Sequence, residues 1–494
     1  MDLALRPLAA VLVSLLAAVL LPLVGRRPTV RETITITAAI LKLALVSSML
    51  PAVLAGQGVE GVSFALGMGL SLQFRVDALG LLFALTASSL WLLTSIYSIG
   101  YLRATTSTHQ TSYYSAFAVC LSATVGIAFS GNLLTFFVCY EVLTLATYPL
   151  VVHGRTPEAQ AAGRRYLVYT LAAGQALLVA TVWAETLVPG SEFRPGGFLN
   201  SQTPSLTVWM LFVLFVVGCG VKAAIMPLHG WLPAAMVAPT PVSALLHAVA
   251  VVKAGVFGIV RMVGYVFGLD TLRATGADTV LIIFAVATIL IASIRALGED
   301  RLKRRLAYST IGQLSYVVLG AAVGSVAALT GAMFHIAGHG FMKITMFFCA
   351  GTVHTQAHRD GVKGLDGLGR QMPVTMTAFA IGACGLAGVP LLAGFIAKWN
   401  LGVGAVEVDH LLLVGVLVVS GLLNVAYFFP ILFDAFFRAP TSDVREAGWA
   451  MVLPLGVTAV VALLLGVMPD FGLHFFTLAR LAAESVVTGS GVLQ

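Results

Sequence analysis

The chain has 494 residues, of which 59% are hydrophobic and 10% are charged, and its mean hydropathy is +0.97. Soluble domains carry about 25% charged residues, so this composition excludes water as the solvent for most of the surface. The net charge of +7 does not favour a nucleic-acid partner, because the basic residues are spread over many connectors rather than collected on one face.

Apolar windows follow one another along almost the whole chain. Because a membrane span needs about 20 apolar residues, the sequence predicts an all-α polytopic membrane protein with about fourteen transmembrane helices. In chain order the predicted spans lie near 7–24, 33–55, 78–100, 112–130, 132–152, 164–186, 206–228, 240–266, 277–296, 304–323, 326–352, 373–400, 409–436 and 448–468. Arg26 and Arg27 directly follow the first span and no small-residue cleavage site precedes a soluble chain, so we predict a membrane anchor rather than a signal peptide.

The basic residues predict the orientation of the chain, since cytoplasmic loops carry an excess of Lys and Arg. Seventeen of the 28 basic residues fall in one set of alternate connectors, among them Arg26, Arg103, Arg301 and Lys363. Six fall in the other set or near the termini, including Arg261, and five lysines remain inside spans. Both termini are therefore predicted on the non-cytoplasmic side of the inner (plasma) membrane.

Several ionisable residues remain inside the predicted spans, where a charge at the bilayer centre costs about 2.5–3.5 kcal/mol and usually marks an ion path. They are Glu141, Lys222, Lys253, Lys343 and Lys398, with Lys42 as a weaker case near the start of the second span. Glu141, in FFVCYEVLTLATYPL, is the only acidic residue at mid-span, and Lys222, in VVGCGVKAAIMPLHGW, is its natural partner. Such a pair could tune proton affinities, or it could be a static ion pair that holds two helices together.

Two prolines lie close to these lysines: Pro227 follows Lys222 by five residues, and Pro390 precedes Lys398 by eight. Proline breaks a helix, and in a bilayer the freed carbonyls must find protein or water partners. The sequence thus predicts broken helices 7 and 12, and matched broken helices five spans apart indicate two inverted five-helix repeats. The predicted division of the single bundle 1–494 is 1–110 (helices 1–3), 111–266 (first repeat), 277–437 (second repeat) and 438–494 (helix 14 and tail).

Histidines and lysines also recur at helical spacing. In ALTGAMFHIAGHGFMKITMFF, His335, His339 and Lys343 follow one another at four-residue steps and share one helix face. Histidine exchanges protons near neutral pH, so this stripe predicts a proton relay. The run SALLHAVAVVKAGVFGIVR repeats the pattern with His247 and Lys253. A metal site would need further ligands, and no carboxylate or cysteine cluster lies nearby in the sequence.

Motifs for cofactors and nucleotides are missing from the sequence. The cysteines stand singly inside apolar spans and form no C-x-x-C pair; they are Cys120, Cys139, Cys219, Cys349 and Cys384. No complete G-x-x-x-x-G-K-[ST] loop, H-E-x-x-H or strand-linked G-x-G-x-x-G is present. We therefore predict no cofactor and no metal on this chain, so that any redox chemistry would belong to a partner.

Four runs resemble the antiporter-like subunit family shared by multisubunit Mrp-type Na+/H+ antiporters, respiratory complex I and membrane-bound hydrogenases: YEVLTLATYPLV, VKAAIMPLHGWLPAAMVAPTPVSALLHAVAVVKAGV, AYSTIGQLSYVVLG and GVPLLAGFIAKW. The resemblance extends from about residue 75 to residue 435 and implies fourteen helices with two inverted five-helix repeats. The lysine in GFIAKW is most similar to that of the D-type subunit of the Mrp antiporters. The implied functional residues are Glu141 and Lys222 as a coupling pair, His247 and Lys253 as the continuation of the path, and Lys343 and Lys398 as its completion.

Two functions fit these features. The favoured one is a proton-conducting, D-type subunit of a multisubunit monovalent cation (Na+)/H+ antiporter. The alternative is a proton-pumping membrane subunit of a redox complex, such as an NADH-quinone oxidoreductase or a membrane-bound hydrogenase, which leaves open whether the chain is part of an enzyme. A scaffold without transport does not explain so many costly buried charges. The expected partners are other integral membrane subunits, protons, Na+ and the lipid bilayer, with the glycine-rich stretch GVSFALGMG as one candidate for helix packing.

Overall fold

The computed structural model describes residues 2–105, 107–199, 203–440 and 443–489. Within these ranges the chain is mainly helical, and most connectors are short. The helices are α1 Arg6–Leu23, α2 Pro28–Ser47, α3 Leu50–Leu54, α4 Ala78–Ala104, α5 Gln110–Ala128, α6 Leu133–Val151, α7 Pro157–Leu187, α8 Ser205–Ala223, α9 Trp231–Ala234, α10 Thr240–Ala248, α11 Val251–Arg261, α12 Leu269–Thr275, α13 Ala277–Leu297, α14 Leu302–Val323, α15 Val326–Ala357, α16 Leu368–Gln371, α17 Pro373–Ala387, α18 Ala393–Glu407, α19 Leu411–Phe437, α20 Trp449–Val467 and α21 Phe475–Thr488. The remaining elements are the 3-10 turns Leu3–Leu5 and Ala235–Val237, the π-helical segment Met262–Phe267, and a hairpin of β1 Val59–Gly67 and β2 Leu70–Val76.

All fourteen predicted spans fall on helices. In the described part of the chain, 13 helical segments are long and apolar enough to cross a membrane. The twelfth predicted span is divided between α17 and α18, each of 15 residues, which is why neither reaches that length alone. The prediction of a polytopic helical membrane protein is confirmed.

The two predicted helix breaks are present. After α8 the backbone of Ala224 turns to a left-handed conformation with φ +57°, and Pro227 lies in the connector before the short α9. Between α17 and α18, Gly388 has φ +94° and Leu391 has φ +69°, on either side of Pro390. Because proline cannot donate to the helix ladder, both breaks occur where the sequence predicted them.

A third break interrupts the eighth span at a point where no proline predicts one. Val249 and Ala250 leave helical geometry between α10 and α11, with ψ values of −54° and −82° at φ values of −123° and −110°. Directly after α11 the helix widens into the π-helical segment. Such irregular backbone is tolerated at membrane depth where protein covers it, and every residue from Thr240 to Phe267 is buried.

The glycine-rich stretch GVSFALGMG forms a β-hairpin, so the expectation of helix packing there was wrong. Gly67 and Gly69 adopt φ values of +94° and +81° around the tip, a conformation open to glycine and unfavourable in a helix. The connector between α5 and α6 extends the hairpin edge, because Arg75 N donates to Phe129 O at 2.7 Å and Gly131 N donates to Gln73 O at 2.8 Å. The hairpin therefore lies at one end of the bundle, opposite the ends where α4 and α6 finish.

The predicted tail contains a further helix that was not expected from the sequence. The amphipathic α21 buries Phe475, Leu478, Ala479 and Ala482 against α15 and α4. These residues stand at positions i, i+3, i+4 and i+7, so the helical period is readable in the sequence. The short length and the charged residues of this segment kept it out of the membrane-span assignment.

Helix α15 lies at the centre of the bundle and is buried at every residue from Ala328 to Val353. Its neighbours are α4, α10, α14, α17, α18, α20 and α21. Small residues allow this close packing: a Cβ on Gly331 would lie 2.6 Å from the carbonyl oxygen of Ala397 in α18. The titratable stripe of α15 is consequently shielded from lipid on all sides.

Several connectors meet at the end of the bundle that carries most of the loop arginines. They surround a cavity of about 830 Å³, here called the basic-end cavity, whose lining includes Ser107, His153, Arg301, Lys303 and His354. This cavity gives aqueous access to the ends of α4, α6, α14 and α15.

Candidate functional site

Two of the candidate residues are in direct contact. Lys253 of α11 and His339 of α15 are both completely buried, and the lysine Nζ lies 2.9 Å from the histidine Nδ1. An ammonium can only donate, so a charged Lys253 requires Nδ1 to accept, whereas a neutral amine can accept from an Nδ1–H group. The same contact therefore accommodates the proton on either side, which is the geometry that proton transfer requires.

From His339 a line of rings leads along α15 toward α18. The ring centres of His339 and His335 are 5.5 Å apart, and both nitrogens of His335 lack a partner among the described residues. His335 in turn lies edge-on to Tyr316 of α14 at 5.8 Å, and the Nζ of Lys398 lies 5.1 Å from the centre of the Tyr316 ring. Each of these separations is short enough for one water molecule to bridge.

Lys398 binds the carbonyls that the twelfth-helix break sets free. Its Nζ donates to Leu386 O at 2.8 Å and to Ala387 O at 3.0 Å. These are the last two carbonyls of α17, which have no continuing helix to pair with because Pro390 follows. The helix break thus provides the acceptors that hold the lysine amine inside the membrane.

A second polar connection begins at Lys343. Its Nζ donates to Ser309 Oγ at 2.9 Å, and the hydroxyl of Tyr427 lies 3.1 Å from the same Oγ. Tyr427 also contacts the side-chain oxygen of Asn424, one turn earlier on α19. Lys343 is therefore linked to α19 through hydroxyl groups, which can both donate and accept a proton.

This connection continues to the helix break. Gln313 Nε2 lies 3.4 Å from Asn424 Oδ1 and donates to Leu386 O at 3.1 Å. Leu386 O is also an acceptor for Lys398. Lys343 and Lys398 are consequently joined by one continuous hydrogen-bond network between α14, α15, α17, α18 and α19.

Glu141 and Lys222 lie near each other but form no direct ion pair within the described ranges. Lys222 Nζ instead donates to the backbone oxygen of Tyr140 at 2.6 Å and lies 3.3 Å from the centre of the Tyr140 ring. Glu141 is half-buried on α6, its Oε1 has no hydrogen-bond partner in the described structure, and Gly174 of α7 leaves room beside it. The lysine thus interacts with the residue next to Glu141 rather than with its carboxylate.

His247 of α10 is completely buried, and its ring centre lies 4.8 Å from that of Phe347. Both of its nitrogens lack partners among the described residues. No hydrogen bond joins it to Lys222 or Lys253 in this part of the chain. Nor do three His, Cys, Asp or Glu side chains come together anywhere in the described ranges as a metal ion would need.

An ion pair that was not expected from the sequence holds the eighth span. The orientation count places Arg261 in a connector, although the predicted span 240–266 includes its position. In the structure Arg261 lies inside the span, 1% exposed, and makes a two-pronged contact with Asp77, with Nη2 to Oδ1 at 2.8 Å. Phe193, Phe257 and Tyr265 surround its guanidinium. Burial raises the pKa of Asp77, but the opposing Arg261 and the hydrogen bond from Gly80 outweigh it, so the pKa lies below the usual 3.8.

A protein-family model described as NADH:quinone oxidoreductase/Mrp antiporter, transmembrane, matches residues 130–424, which include all eight candidate residues. The chain belongs to this family. One relative, NADH-quinone oxidoreductase subunit N of Desulforudis audaxviator, is 34% identical over 349 residues, or 69% of this chain and 68% of the relative. A second, the A/B-type subunit of a probable K+/H+ antiporter from Rhizobium meliloti, is 28% identical over 417 residues, or 81% of this chain but only 41% of that longer protein.

Two solved structures share the fold. A chain of the Mrp complex from Dietzia sp. DQ12-45-1b superposes with a TM-score of 0.89 at 23% identity, covering 100% of both chains. A chain of the membrane-bound sulfane sulfur reductase, an archaeal respiratory membrane complex, superposes with a TM-score of 0.87 at 23% identity over 97% of both chains. At this identity the superpositions establish the architecture of the family member, not its transported ion.

Several polar residues of the site were not predicted from the sequence. Ser309, Gln313 and Tyr316 stand at four- and three-residue steps on α14, within the run AYSTIGQLSYVVLG. Asn424 and Tyr427 stand three residues apart on α19. Polar residues at this spacing in an otherwise apolar, buried helix were the available signal. Hydroxyl and amide groups carry no charge, so they lack the high cost of burial that marks the lysines and Glu141 in the sequence.

Proposed function

We propose that this family member conducts protons along a buried Glu/Lys/His axis, as the D-type subunit of a multisubunit monovalent cation (Na+)/H+ antiporter. The observation that carries the proposal is the contact of Lys253 with His339, at 2.9 Å and without access to lipid. A static role would not require two titratable nitrogens to share one hydrogen bond at membrane depth. Its extension through His335 to Lys398 gives the shared proton somewhere to go.

In this mechanism Lys253 and Lys398 are proton-binding sites and the histidines pass protons between them. When Lys253 gives its proton to Nδ1 of His339, the imidazolium can release the proton on Nε2, which has no partner among the described residues. His335 accepts next, and the Tyr316 hydroxyl or a bridging water completes the transfer to Lys398. Lys343 is proposed as a further proton-binding site. Its network to Leu386 O holds Lys398 in position but passes no proton, because this oxygen only accepts hydrogen bonds, from Gln313 Nε2 and from Lys398 Nζ.

Glu141 and Lys222 are proposed as the coupling pair at the beginning of the path. The amine is held by Tyr140 O, while the carboxylate Oε1 has no hydrogen-bond partner in the described structure. A modest displacement of either helix would bring the two charges together or separate them, and opposite charges at close range favour each other's charged form. His247, whose nitrogens also lack partners there, is proposed to connect this pair to Lys253.

The division into repeats and the orientation belong to the same proposal. We place the two inverted five-helix repeats at 111–266 and 277–437, around the breaks near Pro227 and Pro390. We place both termini on the non-cytoplasmic side of the inner membrane, supported by the arginines and lysine of the basic-end cavity. Reporter fusions at the two termini test the orientation, and a terminus that reports from the cytoplasm would contradict it.

The proposal predicts that the chain works within a larger complex. The proton affinities of the buried residues must change in turn, and a partner can change them only if it interacts differently with two states of the chain. We would reconstitute the whole complex and the isolated chain in proteoliposomes and follow dissipation of a pH gradient on addition of Na+ or K+. We expect the complex to exchange cations for protons and the Lys253→Met complex to lose this exchange. Full exchange by the isolated chain would contradict the need for partners, and normal exchange by Lys253→Met in the complex would contradict the proton path.

A second function is favoured by one comparison: the relative that is 34% identical is named as a subunit of an NADH-quinone oxidoreductase. The same axis could then carry protons driven by redox chemistry in neighbouring chains. The genes beside this one separate the two functions, because iron-sulfur or flavin subunits favour the second and small antiporter subunits the first. Quinone-dependent proton pumping by the purified complex, without cation exchange, would decide for the redox enzyme.

A further inference from the structure

One buried lysine takes no part in the axis just described. Lys42 of α2 is completely buried, donates from Nζ to the backbone oxygen of Leu121 in α5 at 2.9 Å, and lies 5.4 Å from the centre of the Trp91 ring in α4. It forms no ion pair with any described residue. A lysine amine has more hydrogens to donate than this one bond uses.

The face of α4 that contacts Lys42 carries further polar atoms without hydrogen-bond partners among the described residues. Ser88, Trp91 and Ser95 follow one another on α4 at steps of three and four residues, so they share the face on which Trp91 meets the lysine. Their Oγ and Nε1 atoms are buried, and none has a hydrogen-bond partner among the described residues. Buried polar groups are almost always paired, and water is the usual partner where the protein offers none.

Polar side chains continue from this face to the basic-end cavity. One turn after Ser95, Ser98 Oγ lies 2.9 Å from the hydroxyl of Tyr113 in α5. The Tyr113 ring lies 5.5 Å from the ring of His153, whose Nε2 is 3.1 Å from Ser107 Oγ. Ser107 and His153 both line the cavity. A row of hydroxyl and imidazole groups therefore leads from Lys42 to the surface of the bundle.

We propose that Lys42 is a second proton-exchange site, hydrated from the basic-end cavity along α4 and separate from the central axis. In the exchange, one N–H bond of the ammonium breaks, the proton passes to a water molecule, and the electron pair stays on the nitrogen. The reverse step restores the ammonium, so nothing is oxidised or reduced. The inference goes beyond the proposed function, because it requires no proton transfer through Lys253, His339 or Lys398.

The first test measures hydration with cysteines introduced into the assembled complex after the five native cysteines are replaced. Lys42→Cys and Ser95→Cys are treated with 2-aminoethyl methanethiosulfonate, which reacts with the thiolate and so requires water at the sulfur. The matched control is Leu90→Cys, also on α4 and buried, whose side chain packs against Gly340 of α15. We expect Ser95→Cys and Lys42→Cys to react about tenfold faster than the control or more.

Equal, slow reaction at all three positions would overturn the proposal. If Lys42→Cys fails to assemble, Ser95→Cys and Ser88→Cys keep Lys42 intact and answer the same question. The donor-rich surroundings could instead hold a chloride ion. Protection of Ser95→Cys by chloride, compared with gluconate, would identify that occupant and would also overturn the proton-exchange site.

The second test asks whether Lys42 gives up its proton. Trace labelling with acetic anhydride modifies only neutral amines, and mass spectrometry of the complex reports Lys42 separately from the exposed Lys363. Labelling of Lys42 that rises with pH and falls severalfold in Ser95→Leu, while Lys363 stays unchanged, is the expected result. A Lys42 that stays unlabelled at every pH at which the complex is intact would identify a fixed structural charge.

Discussion

Replacing His339 interrupts the proposed axis at its best-defined contact. His339→Gln retains a side chain that can hydrogen-bond the Lys253 amine, whereas His339→Ala removes the imidazole and leaves a cavity. Neither side chain can take up and release a proton near neutral pH. If His339 only holds Lys253 in place, glutamine should rescue what alanine loses; if it transfers protons, both variants should fail alike.

The size of the loss follows from the geometry. The imidazole bridges a 2.9 Å contact to Lys253 and a 5.5 Å ring separation to His335, so its removal merges two short steps into one long gap. Proton transfer by a positioned side chain contributes about 10²- to 10⁴-fold to a rate. We therefore expect cation-dependent dissipation of the pH gradient to fall by about 10²-fold in both variants, the lower figure applying if water partly fills the gap.

The assay compares everted vesicles that contain equal amounts of assembled complex, verified by the partner subunits that co-purify with the chain. Phe334→Leu, a buried and non-titratable position five residues earlier on α15, serves as the matched control and should keep most of its rate. A His339→Gln variant with more than about a third of the wild-type rate would refute the reasoning, because that result is incompatible with a 10²-fold loss.

Three further predictions concern exchange at the Glu141–Lys222 pair, exchange at Lys398, and stability at Asp77. Glu141→Ala and Lys222→Ala should each reduce exchange by about tenfold or more. The double variant should lose little beyond either single variant, since the effects of coupled groups are not additive. Near-normal exchange in Glu141→Ala would argue against coupling. Lys398→Arg should assemble yet fail to exchange, because arginine does not release its proton at physiological pH; an active variant would indicate a fixed positive charge. Asp77→Asn keeps the hydrogen-bond acceptor for Gly80 but leaves Arg261 buried without its counter-charge. The free energy of unfolding should therefore fall by about 3 kcal/mol. This is the low end for a broken buried pair, because the Asp77 side chain is 25% exposed. Because the pKa of Asp77 is lower in the folded state, the pair stabilises the protein above pH 3.8. This contribution is lost as the pH falls through the lower folded pKa. The melting temperatures of wild type and Asp77→Asn should therefore converge in strong acid.

The sequence by itself determined the membrane architecture. Apolar windows placed every span, because the bilayer demands a minimum length of apolar helix and leaves little alternative structure. It also located the breaks near Pro227 and Pro390, since proline acts on its own backbone whatever the tertiary packing. The eight candidate residues stood out for a related reason: a charge or imidazole is costly inside an apolar helix, so its presence there is informative.

Local signals failed where the structure depends on distant residues. The hairpin at 59–76 is fixed by pairing with the connector after α5, which the glycine-rich sequence does not reveal. The break at Val249 and Ala250 has no proline and is visible only in the packed bundle. The assignment of Arg261 to a loop overlooked Asp77, which lies 184 residues earlier and becomes its neighbour only when α4 meets α11.

Contacts within the site were decided by the tertiary structure alone. Helical spacing puts His335, His339 and Lys343 on one face of α15, but it cannot show that Lys253 meets His339 rather than Glu141 or that Lys222 binds Tyr140 O. These contacts join helices that are far apart in the chain, and their distances depend on how small residues let each pair of helices approach. The sequence therefore determines which costly groups enter the membrane, and helix packing determines which of them come into contact.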